Sequence, residues 1–405
     1  MKLSLYDLIQ KFNYDPNSVK KNYDGKTDIY LAKVSYRYGY FKRIAVIVLI
    51  ALVIMCILFG NISYSKLYYL TKDIKLANDY VNSVHDTITY NVGNSQSFAL
   101  YRGGLAVASR ERLSIFSAGG RELFSSNHSY GNPALEVSNK YVLLYDVGGK
   151  QFSLYNAFSK AREETLDYGI FGADIAQNGT FALITKSEKF DSVVSVYLQN
   201  GTKYDYSYSD GRVTEIALSD NGSVMVVALT FTNGERLNTE LRLYKVGSKD
   251  YKKADLTFDG VPFAIDITDS GNVIAVGAKG VNSFNQSLGF VGEYLPGEQI
   301  YAYCFGEDNI AIVHSNDNGS RSEVVLLNKR ARVEREYDLE SRIINVAYSD
   351  GSIFLQKIDG FEKINVSLNS RSKIDMIATD FSMISCDKDT LIVCNDSYAR
   401  FLYFN

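Results

Sequence analysis

The sequence predicts an all-β fold: a beta-propeller of about eight four-stranded blades, preceded by one transmembrane helix and a short helical stalk. Three observations predict it. A strand–turn–strand pattern recurs about every 41 residues from residue 87 onward, within the range of four-stranded propeller blades. An unbroken apolar run opens at Ile44. Between the two, apolar residues recur at spacings of three and four, as on one face of a helix.

The chain has 405 residues, a net charge of -3, 46% hydrophobic residues, 4 cysteines and no tryptophan. It is too apolar for a disordered chain and too poor in cysteine for a disulfide-built scaffold. The charge is small and of the wrong sign for a nucleic-acid binder, so no nucleic-acid partner is expected.

Residues 1–43 read as a cytoplasmic tail. Basic residues such as Lys20, Lys21, Arg37, Lys42 and Arg43 outnumber the acids Asp7, Asp15, Asp24 and Asp28, and the rest of the chain is net acidic. Positive charge stays inside, which places the large C-terminal part outside the cell membrane. Residues 44–61 read as the membrane span. The apolar run Ile44–Phe59 covers roughly 24 Å at about 1.5 Å per residue. Its flanks must supply the rest of a core about 30 Å thick. The bilayer lipid is thus the first expected partner. A buried core helix is disfavoured because the run has no polar face. A cleaved signal peptide is disfavoured by the long leader and the lack of a small-residue cleavage site. Val53-Ile54-Met55-Cys56 resembles a lipoprotein cleavage box only faintly, since Met55 is too large there.

Residues 62–86 read as the stalk, with Leu67, Leu70, Ile74, Ala77, Val81 and Val84 forming a heptad-like stripe. The stripe suits either packing on its own domain or pairing of two chains.

Residues 87–405 read as the propeller. Four stretches share one grammar of strand, Gly-containing turn and strand: Asp174–Ile184, Glu215–Leu229, Asp266–Ala278 and Asn345–Gln356. Asn-Gly, Asp-Gly and Ser-Gly supply the positive φ of tight hairpins. Four weaker copies turn near Gly103-Gly104, Asn139-Lys140, Asp308-Asn309 and Lys388-Asp389. Third strands are read at Leu113–Phe116, Phe152–Tyr155, Val194–Tyr197, Leu241–Tyr244, Val324–Leu327, Ile364–Leu368 and Phe401–Phe404, and a more polar fourth strand is expected to complete each blade. The last copy lacks an outer strand, and Thr87–Tyr90 is expected to supply it, fastening the ring. Seven blades are the alternative, and a pair of β-sandwiches the rival fold.

This pattern resembles the WD-like and YVTN-type propellers. More narrowly, it resembles the membrane-anchored propeller proteins of Gram-positive bacteria. The resemblance rests on generic strand–turn patterns. With no tryptophan in the chain, the Trp-Asp signature is absent, and no functional residue carries over.

No catalytic residue, metal ligand or cofactor is predicted. His85, His128 and His314 are far apart and lack metal-ligand spacing. No nucleophile elbow or phosphate loop occurs. Asp266-x-Thr268-x-Ser270-Gly271 lacks the third and fifth carboxylates of a calcium loop. Of Cys304, Cys386 and Cys394, Cys386 is expected to face Leu391 rather than Cys394, so no disulfide is indicated.

The loops after the second strands, read at 186–192, 230–240, 279–288 and 314–323, are the expected binding face. They contain Lys186, Lys189, Lys279 and His314. Phe231, Arg236, Phe284 and Arg321 are the candidate ligand-binding residues, because an aromatic with a cation anchors a protein or glycan. The expected function is a non-enzymatic, membrane-anchored, extracytoplasmic platform for a protein, peptide or envelope ligand. The alternatives are an envelope enzyme acting on a glycan or peptide, which needs acidic or nucleophilic residues converging on the channel, and a structural subunit of a membrane complex.

Overall fold

The structure is a computed structural model that describes residues 40–51, 87–90, 97–117, 119–316 and 321–404. The chain divides into two units, Met1–Lys75 and Leu76–Asn405. In the first, residues 40–51 form a helix whose apolar side chains Val46, Ile47, Leu49 and Ile50 are exposed. It contains the first part of the predicted span. Residues 52–61, the stalk and the tail up to residue 39 lie outside the described residues. Among the described residues no helix is long and apolar enough to cross a membrane.

The second unit is all β. Its strands form eight antiparallel sheets, seven of four strands and one of five. In chain order the blades are 1 (97–127), 2 (133–165), 3 (170–208), 4 (212–259), 5 (262–294), 6 (300–339), 7 (345–375) and 8 (382–403). All eight predicted turns fall between a first and a second strand. Blade 8 takes its outer strand from Thr87–Thr89, in register Thr87 to Arg400, Ile88 to Ala399 and Thr89 to Tyr398. Eight blades and the expected fastening are therefore what the chain forms.

Burial follows position within each blade. Second strands such as Gly104–Ala108, Phe181–Thr185 and Thr390–Cys394 are buried on both faces. Outer strands such as Ser159–Thr165 alternate toward solvent. A twisted sheet of this size cannot cover both of its own faces, so each packs between two neighbours. The hydrophobic core is accordingly eight separate clusters, one at each blade–blade contact, including the contact of blade 8 with blade 1.

The first-to-second turns are tied across blades. Asn139 N–H donates to Gln177 Oε1 at 2.9 Å, Asn178 N–H to the Asp220 carbonyl at 3.2 Å, and Asp269 N–H to the Glu307 carbonyl at 3.1 Å. Gly222 sits at such a junction with φ 64°, and a Cβ there would lie 2.7 Å from Thr180 Cβ. Both the turn and the neighbouring blade demand glycine.

Two strand boundaries differ from expectation. The third strand of blade 7 is Gly360–Asn365, so Val366–Leu368 form the following turn, not strand. The third strand of blade 5 is Gly280–Phe284, inside the segment read as a loop. In blade 8 the register pairs Ser385 with Leu391, and Cys386 N–H donates to the Thr390 carbonyl. Leu391 thus faces Ser385, not Cys386. Cys394 pairs with Ser382 and Ala399, and Cys304, Cys386 and Cys394 are free thiols.

Candidate functional site

The ring has two unlike faces. The turn face carries the short first-to-second turns. The loop face carries the second-to-third connections and the links between blades. Most exposed large apolar side chains of the propeller lie on the loop face, among them Phe171, Leu237, Phe263, Leu295, Ile358 and Ile377. The turn-face end has Tyr251, Phe290, Val333, Leu368 and Tyr403.

Blade 4 projects furthest by sequence length. Its second and third strands, Val224–Asn233 and Arg236–Lys245, run ten residues each. The ladder continues to the Asn233–Arg236 pair, closing on Gly234 and Glu235. The segment read as a loop over 230–240 is therefore an extended hairpin. A fifth strand, Phe258–Asp259, braces it against Asn238 and Thr239. Hydroxyls lock the base: Thr230 and Thr239 meet at 2.8 Å, and Thr239 donates to the Gly260 carbonyl at 2.7 Å. Beside it lies a cleft of about 550 Å³, lined by Leu256, Phe258, Lys279, Asn282, Glu293 and Leu295. Lys279 pairs with Asp259 at 2.7 Å at this cleft.

The four predicted site residues do not converge on one point. Phe231 is half-buried on the blade 4 hairpin, opposite Asn238, and Arg236 is exposed near its tip. Arg321 is exposed on blade 6 and lies 3.6 Å from Glu340. Phe284 is the correction. It is 0% exposed and packs in the core between blades 4 and 5 with Phe258 and Leu288. It ends a third strand that is buried on both faces, so it cannot meet a ligand. His314 is also buried. Its ring lies 3.8 Å from Glu323 and 3.4 Å from the Tyr294 hydroxyl, and burial lowers its pKa.

The channel holds what the sequence reading missed. Four consecutive innermost strands carry a carboxylate: Glu136, Asp174, Glu215 and Asp266. Burial pushes Glu136 up to about 8, with Asp174 and Glu215 adding repulsion. Glu215 rises to about 7 through burial and then Asp174, and Asp266 to about 7 for the same reasons. Asp174 rises to about 6 by burial, although it accepts the Leu218 N–H at 2.6 Å and the Ile175 N–H at 2.8 Å. Glu136 senses Glu215 two blades away, and Asp266 senses Asp174 two blades away. All four lie on the innermost strands, which border the channel. Tyr303 of blade 6 likewise senses Glu215 of blade 4.

Above this ring, blades 3, 4, 5 and 6 repeat one irregularity. The first strand of each is bulged near its loop-face end, between Ile170 and Gly172, Val213 and Glu215, Pro262 and Ala264, and Ile300 and Ala302. A bulge re-aims the extra residue. Here the extra residues are Phe171, Thr214, Phe263 and Tyr301. The three aromatics are 55%, 43% and 40% exposed. Phe263 stacks on Tyr303 with centroids 6.2 Å apart and planes 12° apart. The Tyr301 hydroxyl meets Ser322 Oγ at 2.8 Å.

Both features left a trace in the sequence. Three of the clearest repeat copies begin on Asp174, Glu215 and Asp266, at strand positions where a core residue is the norm. Ile170-Phe171, Pro262-Phe263 and Ile300-Tyr301 place two apolar residues side by side, which a strand of strict period two does not do.

Fold and site together define a class: an all-β, eight-bladed propeller with an apolar loop face and an acidic channel. The chain belongs to the family of unknown function DUF5711, which matches residues 78–403. No curated protein matches it in sequence. Among solved structures it is similar to Sqt1 of Saccharomyces cerevisiae, at 10% identity and TM-score 0.57, over 79% of this chain and 100% of that one. It is similar to Sqt1 of Chaetomium thermophilum bound to the N-terminus of the ribosomal protein L10, at 11% identity and TM-score 0.56, over 79% and 100%. It is also similar to BamB of Moraxella catarrhalis, at 14% identity and TM-score 0.51, over 80% and 99%. At these identities the likeness is one of fold.

Proposed function

We propose that this protein is a membrane-anchored, extracytoplasmic binding platform without catalytic activity of its own, whose propeller holds a protein or envelope partner on the loop face. The observation that carries the reading is the gathering of exposed apolar side chains on that face, beside the braced hairpin that bears Phe231 and Arg236. The anchor rests on the apolar run at 44–59 and the basic tail before it. That a structurally similar propeller is seen bound to the N-terminus of a ribosomal protein agrees with a fold suited to holding protein segments.

The enzymatic reading has one observation in its favour, since acidic residues do converge on the channel. A hydrolytic pair needs carboxylates pushed apart, one kept protonated and one ionised. Glu136, Asp174, Glu215 and Asp266 are all pushed upward. That pattern suits an uncompensated anionic cavity better than an acid–base pair.

The test is crosslinking of the full chain in intact cells, followed by identification of the captured partner. Leu237→Asp and Arg236→Ala are expected to reduce capture. Leu368→Asp, on the opposite end of the ring, is the control and leaves it unchanged. Capture that survives both loop-face changes and falls with the control would place recognition elsewhere.

A further inference from the structure

The four bulged strands and the carboxylates beneath them are adjoining parts of one mouth, and their chemistries complement the same group. We propose that the loop-face mouth of the channel docks a partner protein by taking up one of its lysine or arginine side chains, with the bulge aromatics around the stem and the channel carboxylates around the charge. This deepens the platform reading and rests on it.

The aromatic collar is the primary observation. Phe171, Phe263 and Tyr301 are delivered by the same bulge in blades 3, 5 and 6. All three stand exposed, whereas Thr214, the bulge residue of blade 4, is half-buried. Exposed aromatic faces attract organic cations and cover the aliphatic stem of a long basic side chain.

Charge supplies the complement. Glu136 and Glu215 have neither a hydrogen-bond donor nor a cation beside them among the described residues, and the charges they sense are negative. Both are half-buried on their innermost strands, and like charges gathered there without a cation leave a negative potential that an entering cation relieves. Among the described residues no three His, Cys, Asp or Glu side chains are grouped to hold a metal ion. The spread of the carboxylates around the channel suits a side-chain cation with several donors instead. The exposed aromatic faces of Phe171 and Phe263 call for a carrier with apolar surface of its own, which a partner protein has and a free amine lacks.

The experiment uses the full chain in detergent and titration calorimetry at pH 8. The probes are the acetylated, amidated peptide Ala-Leu-Lys-Leu-Ala, the same peptide with norleucine for lysine, the same peptide with acetyl-lysine, and n-butylamine. The lysine peptide is expected to bind at least about tenfold tighter than the other three. Glu136→Gln with Glu215→Gln, and separately Phe171→Ser with Phe263→Ser, are expected to weaken it by about tenfold or more. Leu368→Asp leaves it unchanged. Far-ultraviolet circular dichroism and melting midpoints confirm that each variant is folded. Equal binding of the lysine and norleucine peptides, no binding of the lysine peptide, or unchanged binding by the Gln pair overturns the inference. Butylamine binding as tightly as the lysine peptide also overturns it, because the occupant is then a free amine. The cellular crosslink separates the two levels. A partner lost on Leu237→Asp yet retained by the Gln pair leaves the platform standing and removes the channel from recognition.

Discussion

The Tyr90 hydroxyl donates to the carbonyl of Asn395 at 2.7 Å, across 305 positions of sequence. This bond continues the seam at which Ile88 pairs with Ala399. Tyr90 also packs with Phe98 and Phe116, so the strand that closes blade 8 touches blade 1 as well.

Ile88 is 1% exposed within that seam. Ile88→Ala is expected to cost about 3 kcal/mol, the middle of the range for truncating a buried isoleucine. Tyr90→Phe removes the hydroxyl alone and is expected to cost about 1 kcal/mol. Urea unfolding of both variants checks the ranking. An Ile88→Ala midpoint equal to wild type would mean the seam does not hold the ring.

Phe284 and Phe231 separate core from surface. Phe284→Ala is expected to cost about 4 kcal/mol, because it opens a cavity between blades 4 and 5. Phe231→Ala and Arg236→Ala, on the solvent side of the hairpin, are expected to change stability by less than about 1 kcal/mol. Thermal melting of the three variants decides this, and a harmless Phe284→Ala would return that residue to the surface.

The channel carboxylates make stability depend on pH. Glu136, Glu215 and Asp266 titrate near 8, 7 and 7 when folded, against about 4 when unfolded. The folded protein therefore holds more protons between these values. Their contribution is fully present below about pH 4 and is lost as pH rises through 7 to 8. His128 and His314 are lowered by burial and act oppositely, losing stability as pH falls below about 6.5. The comparison that isolates the carboxylates is wild type against the Glu136→Gln, Glu215→Gln, Asp266→Asn triple variant. The variant is expected to lose less stability than wild type as pH rises from 5 to 8. Parallel stability curves would show that these groups are not strained.

The proposed topology predicts unequal fates for the two ends of the chain. An epitope tag at the C-terminus is expected to be lost when intact cells are shaved with protease, and one at the N-terminus to be retained until the membrane is permeabilised. Equal protection of both tags would reverse the assignment of sides.

Much of the fold was legible because a hairpin turn is a local event. Asp350 and Gly351 both adopt positive φ, 46° and 76°, as an Asp-Gly turn requires. The closing strand was legible from a deficit, since the last copy showed only three strands and Thr87–Tyr90 stood unassigned before the first. Strand ends were harder. Phe284 and Val366 sit where alternation stops, and only the neighbouring blade decides whether the strand continues. The channel was harder still. Glu136, Asp174, Glu215 and Asp266 are far apart in sequence, and only ring closure brings them together. The acid at the head of three of the four clearest repeats was visible, but its meaning depends on which strand is innermost.

Thr87–Thr89 also sets an order of events. This strand leaves the ribosome before any other of the ring, and its partner, Tyr398–Tyr403, is the last. Seven blade contacts can form while synthesis continues, each between segments adjacent in sequence. The eighth must wait for Tyr398–Tyr403, and until then blade 1 and the unfinished blade 8 each present an uncovered apolar flank. The same closure that leaves the mature ring without a free end makes its first strand the last to find a partner.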